Sequence, residues 1–178
     1  GPYKYVDYNQ EGSFYCITIE NAGATDDLDI YDVVVTDGGI ATNQTPVLDG
    51  LFDSSVIWGA PVAVANNIAG WADANAQELY ITQDETYIYL GAKLNAPNWQ
   101  SWAFLINTKN GGGTADSWSR AIDYAHTDKP DYIFRGTFSG YAEFHTWNGL
   151  SWSGVGSSVT NTEFAANPTN LVEVRILK

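Results

Sequence analysis

The sequence holds a single cysteine, Cys16, and no methionine among its 178 residues. One cysteine excludes an intramolecular disulfide, and with only two histidines beside it a cysteine–histidine zinc cluster is excluded as well. Cys16 lies in the alternating run Phe14-Tyr15-Cys16-Ile17-Thr18-Ile19, where it reads as a small buried hydrophobe. Basic side chains are scarce: 8 Lys and Arg stand against 21 Asp and Glu, a net charge of -13. Affinity for nucleic acid comes largely from Lys and Arg, so nucleic acid and anionic membrane surfaces are poor partners. No apolar run is long enough to span a membrane, and none reads as a signal peptide. The start at Gly1-Pro2 reads as a processed product or an excised piece, and the stop at Lys178, straight after a strand-like run, as an end short of the natural domain.

Catalytic signatures are missing too. The chain has no Gly-x-Ser-x-Gly elbow, no His-Glu-x-x-His and no Gly-x-x-x-x-Gly-Lys loop. A glycosidase needs only two carboxylates at a set separation, a requirement sequence alone leaves open. The expectation is a binding domain rather than an enzyme.

What is present is aromatic: 7 Trp, 11 Tyr and 7 Phe, 14% of the chain. Rings fit strands well, but so many Trp exceed what a core needs, so some are expected on the surface. Helical periodicity is almost absent, and short alternating runs separated by Gly, Asn and Asp clusters predict an all-β fold. Glu78–Thr82 and Tyr87–Gly91 around Asp84-Glu85 predict a hairpin, and Ser101–Asn107 the next strand, ending in the loop Lys109-Asn110-Gly111-Gly112-Gly113. Further strands are expected at Arg120–Ala125, Tyr132–Arg135, Tyr141–Trp147, Trp152–Val155 and Leu171–Leu177, with Asn148-Gly149 a hairpin turn.

Residues 1–45 read differently. They offer strands at Tyr3–Tyr8, Phe14–Ile19 and Ile30–Thr36, then a polar linker from Asp37 to Pro46. Three short strands cannot bury a core alone. They pack on the sandwich, pair with another chain, or close a preceding domain. The division expected is therefore 1–45, an N-terminal strand segment, and 46–178, a β-sandwich.

Val47-Leu48-Asp49-Gly50-Leu51-Phe52-Asp53 followed by Trp58, then the Glu78–Leu90 hairpin, Lys129-Pro130-Asp131-Tyr132 and Trp147-Asn148-Gly149-Leu150-Ser151-Trp152 occur in a telling order. From about residue 47 onward this order resembles the β-sandwich domains related to family-nine carbohydrate-binding modules. That group includes the DOMON-like folds and domains appended to bacterial amylopullulanases and glucodextranases. The resemblance implies a jelly-roll-like antiparallel β-sandwich, non-catalytic, extracellular and often calcium-stabilised. Its superfamily also includes haem domains and structural spacers; with no Met for an axial ligand and only two His, the haem reading is weak here.

The chemistry expected of such a domain is sugar stacking. A pyranose packs its C–H face on Trp or Tyr while amide and charged groups bond its hydroxyls. Asn98, Trp99, Gln100, Trp118, Arg120 and Trp147 are the candidates, whereas Trp58 and Trp102 read as core. For calcium, which takes six to eight oxygens, the candidates are Asp49 with Asp53 and Asp116 with Asp123, alongside the run Asp26-Asp27-Asp29; none forms an EF-hand. Asn43-Gln44-Thr45 is a formal glycosylation sequon, disfavoured by Pro46. The function expected is a secreted or cell-surface module binding an α-glucan or plant polysaccharide. The alternative is a structural subunit of a surface layer, adhesin or donor-strand fibre, assembled as a homo-oligomer through the N-terminal strands.

Overall fold

A computed structural model describes residues 44–64, 78–109, 111–119, 129–153 and 163–178 in full, and 3–5, 14–20, 41–42, 75–77 and 122–124 by backbone alone. In chain order the elements are β1 (Tyr3–Tyr5), β2 (Phe14–Glu20), β3 (Ala41–Thr42), α1 (Ser55–Trp58), β4 (Ala63–Val64), β5 (Asn75–Gln83) and β6 (Tyr87–Asn95). They continue with β7 (Ser101–Asn107), β8 (Ile122–Tyr124), β9 (Tyr132–Thr137), β10 (Ala142–Thr146), β11 (Phe164–Ala166) and β12 (Leu171–Leu177). The fold is an all-β sandwich. One sheet runs β10-β9-β7-β2 and the other β11-β12-β6-β5-β3, with β4 also pairing β5. Main-sheet pairings are antiparallel except β3 with β5, and β1 and β8 form a separate parallel pair. No helix among the described residues is long and apolar enough to cross a membrane.

Alternation explains the core. Leu79, Ile81, Leu90, Ala92, Leu94, Val172 and Val174 face inward from one sheet and Trp102, Phe104, Ile106, Phe134 and Ala142 from the other, forming one buried cluster. The strands expected at 101–107 and 171–177 have those bounds, and the 78–91 hairpin is β5 and β6 closed at Asp84. Asp84 Oδ1 accepts the Thr86 and Tyr87 N–H groups, while Oδ2 accepts the Tyr89 hydroxyl. The strand expected at Trp152–Val155 lies partly outside the described residues; within them Trp152 forms an isolated bridge with Trp147. The strand expected at Ile30–Thr36 lies outside the described residues. The segment 1–45 joins both sheets: β2 pairs β7 over seven residues, from Phe14↔Asn107 to Glu20↔Ser101, and β3 pairs β5.

Residues 47–58 cross the outer face of the β6–β12 sheet. There Trp58, Tyr80, Tyr89 and Leu171 form a second buried cluster, flanked by Leu48, Phe52, Ile57 and Tyr87. Gly91 makes the close approach possible, since a Cβ there would stand 2.9 Å from the Trp58 ring. Beside it Glu173 Oε1 accepts the Asp49 N–H at 2.9 Å and the Gly50 N–H at 2.6 Å. This is why an Asp-Gly pair ahead of a Trp makes a compact cover: a buried carboxylate caps the turn and a glycine admits the indole.

Candidate functional site

On the outer face of the β10-β9-β7 sheet, charged side chains stand beside the buried apolar Ala103, Leu105 and Ile133. Because Phe134 and Phe144 point into the sandwich, their neighbours Arg135, Glu143 and His145 point out. Arg135 pairs in register with Ala103 on one side and Glu143 on the other. Its guanidinium is fully buried, donates to Asp116 Oδ2 at 2.5 Å and lies 3.9 Å from Glu143 Oε1. Two carboxylates thus surround one cation. Such a pair is held by mutual neutralisation, since either charge alone would be costly out of water.

Asp116 belongs to the loop 111–119, which opens with the glycine run. Its Oδ1 accepts the Trp118 N–H at 2.9 Å and its backbone carbonyl accepts the Ser119 N–H, so one aspartate shapes the turn and pairs Arg135. Ser119 is left-handed at φ 64, a conformation that is strained for a residue with a side chain. The turn lays Trp118 over Arg135, with the guanidinium carbon 3.3 Å from the ring centroid. Stacking of this kind is favourable by about 0.5–2 kcal/mol and fixes the ring's orientation. Trp118 still exposes 37% of its surface, and Tyr141 beside it 43%.

Glu143 is the hub. Tyr141 donates its hydroxyl to Oε2 at 2.7 Å, Ser117 donates to Oε1 at 3.2 Å, and His145 Nε2 lies 3.2 Å from Oε1. Burial pushes its carboxyl up, but the contacts from Tyr141, His145 and Ser117 outweigh that and hold it below the usual range. The same bond pushes the Tyr141 hydroxyl up. His145 Nδ1 reaches the Ser153 carbonyl at 2.6 Å, which ties the strand to the Trp147–Trp152 hairpin. Serine, histidine and a carboxylate meet here, but Ser117 donates to the carboxylate rather than to the imidazole. The arrangement does not make a nucleophile–base pair.

Trp147 and Trp152 pack edge to face, centroids 5.2 Å apart, and Trp152 Nε1 donates to the Ala115 carbonyl at 2.7 Å. Gly113 fits against both rings; a Cβ there would stand 2.7 Å from Trp152 and 3.1 Å from Trp147. The hairpin therefore anchors one end of the loop and Arg135 the other. What the assembly can do chemically is present a rigid, half-exposed indole and a phenol above hydrogen-bonding groups.

Of the residues expected to bind sugar, Trp118 and Trp147 gather at this loop, Trp118 exposed and Trp147 half-buried as a support. Asn98 and Trp99 are exposed in the β6–β7 turn. Gln100 is corrected: it is buried at 1% exposure, and among the described residues neither amide atom has a hydrogen-bond partner, so it offers no group to a ligand at the surface. Arg120 lies outside the described residues. Among the metal candidates, Asp116 is committed to Arg135, and the side chain of Asp123 lies outside the described residues. Asp49 Oδ1 accepts the Leu51 N–H and Asp53 Oδ2 the Val47 N–H, so both close backbone turns. Among the described residues no group of three or more acidic, histidine or cysteine side chains is arranged to hold a metal ion.

Arg135, Tyr141, Glu143 and Trp152 were not among the expected site residues. The signal for them was faint: an Arg and a Glu, each beside an inward Phe in neighbouring strands, share the outward parity. The chain matches no family model, no curated protein and no solved structure.

Proposed function

We propose that the protein is a non-catalytic carbohydrate-binding module of the kind related to family-nine modules, acting outside the cell on a neutral polysaccharide. The observation that carries this reading is Trp118, half exposed and held flat on a buried guanidinium. A pyranose loses ring-stacking affinity if the platform must be ordered on binding, and here the ordering is already done. Tyr141 offers a second ring beside it, and the net charge of -13 disfavours polyanionic ligands.

The test is intrinsic Trp fluorescence during titration with soluble starch, xylan and β-glucan, with and without calcium, for the native chain and Trp118→Ala. A saturable change with one polysaccharide, lost in Trp118→Ala, is expected. A flat response to every polysaccharide would remove this reading. Assembly that depends on residues 1–45, seen by size-exclusion chromatography, would then favour the structural subunit.

A further inference from the structure

We propose that Ser117 and Tyr141 select the ligand by accepting hydrogen bonds, so that the sugar stacked on Trp118 has to present unsubstituted hydroxyl groups to both. The inference rests on the carbohydrate-binding reading above and names the ligand groups that the same site selects.

The placement comes from Glu143. Arg135 and Glu143 are partners in register on neighbouring strands, and Trp118 lies over the Arg135 guanidinium. Ser117, next to Trp118 in the chain, donates its hydroxyl to Glu143 Oε1 at 3.2 Å. Tyr141 donates to Glu143 Oε2 at 2.7 Å. One carboxylate therefore holds both hydroxyls beside the indole. Trp118 and Tyr141 are exposed and Ser117 is half-buried, so a ligand on the indole can reach them.

Hydrogen-bond arithmetic supplies the selectivity. A hydroxyl carries one hydrogen and two acceptor lone pairs. Both hydrogens are spent on Glu143, which leaves Ser117 Oγ and Tyr141 Oη only lone pairs for a ligand. Glu143 stays an acceptor: burial pushes its carboxyl up, but Tyr141, His145 and Ser117 outweigh that and hold it below the usual range. Turning either hydroxyl toward the ligand would exchange a bond to a carboxylate for a neutral one about half as strong. A sugar hydroxyl facing these oxygens therefore donates. A methyl ether or an acetyl ester there sets acceptor against acceptor and is rejected. The ligand class is a neutral glycan whose hydroxyls are free, as opposed to an O-methylated or O-acetylated one.

The test titrates maltotetraose, xylotetraose and cellotetraose by calorimetry, each also with single hydroxyls replaced by fluorine, which cannot donate. The proteins are the native chain, Ser117→Ala, Tyr141→Phe and Trp118→Ala. For the tetrasaccharide that binds, two of the replacements are expected to weaken the native chain about tenfold each. Tyr141→Phe is expected to bind the parent sugar about tenfold more weakly and to be indifferent to one of those replacements, and Ser117→Ala to the other. Replacements that weaken the native chain and both variants by the same factor would overturn the assignment, as would a Tyr141→Phe affinity equal to the native one. In either case, loss of binding in Trp118→Ala would leave the module reading intact. No binding of any tetrasaccharide would remove both.

Discussion

Both sheets of the sandwich carry a tryptophan pressed on their outer face by a crossing segment, and the two are used differently. On the β6–β12 sheet Trp58 is wholly buried, seated on Gly91 among Tyr80, Tyr89 and Leu171. On the β9–β10 sheet Trp118 rests on a guanidinium and stays half exposed. The difference lies in what the strand offers beneath the ring. A glycine leaves a socket that only complete burial fills, whereas an arginine raises a flat charged support that keeps the indole near the surface. The two glutamates beside these rings repeat the contrast. Glu173 is pushed up to about 8 by burial, against which only two backbone N–H groups act, while Asp49 and Asp53 add to the rise. Glu143, also buried, is held low by side-chain partners. Burial alone does not set a carboxyl group's state; the polar company it keeps does.

The comparison breaks first at the two supports. Arg135→Leu leaves Asp116 and Glu143 as buried carboxylates without their cation, and a loss of about 3–5 kcal/mol is expected in urea unfolding, together with loss of polysaccharide binding. Trp58→Ala empties a core site and should cost a similar amount, about 3–5 kcal/mol. Trp118→Ala, by contrast, should cost about 1 kcal/mol or less in stability and act on binding. Equal stability losses for the two tryptophans would show that Trp118 is core and not platform.

Next in size is Gly91→Ala. Its Cβ would meet the Trp58 ring, and overpacking of this kind costs about 1–3 kcal/mol, seen as a lower thermal midpoint.

The glutamates separate by pH. Folded Glu173 keeps its proton to about 8, whereas its ordinary value is 4.5. Its contribution is therefore complete below 4.5 and is lost as pH rises toward about 8, with a slope of up to about 1.4 kcal/mol per pH unit. Glu173→Gln keeps an acceptor for the Asp49 and Gly50 N–H groups and should flatten that slope. Glu143 has the opposite sign: its contribution is present above the ordinary glutamate range and falls away as pH drops through its lowered value. Urea midpoints measured from pH 2 to 9 for the native chain, Glu173→Gln and Glu143→Gln would check both, and an unchanged slope in Glu173→Gln would refute the assignment to Glu173.

The smallest expected effect is a gain. Ser119 holds a left-handed backbone next to Trp118, and Ser119→Gly should stabilise the protein by up to about 1 kcal/mol, measured by urea unfolding.

How much of this could be read in the sequence follows from how local each feature is. The alternation in Glu78–Thr82, Tyr87–Leu90, Ser101–Asn107 and Leu171–Leu177 reports strands and their inward faces, because a period of two depends only on neighbours along the chain. The buried positions of Trp58 and Trp102 followed from that pattern and from the opening motif. Gln100 is buried as well, although its amide and its Trp neighbours suggested a surface role. The partners of Arg135 were not readable in this way. Asp116 comes from a loop 19 residues earlier and Glu143 from a neighbouring strand, and nothing in the spacing of those residues specifies that they meet.

By itself, then, the sequence determined the all-β class, the in-and-out parity of the strands, the acidic surface and the surplus of tryptophan. All of these depend on composition and on local periodicity. Only the tertiary structure decided which tryptophan is sealed and which is presented, because that depends on whether a glycine or an arginine from a distant strand lies beneath the ring. Pairing between strands that are far apart in the chain brings those residues together, and local pattern carries no record of it.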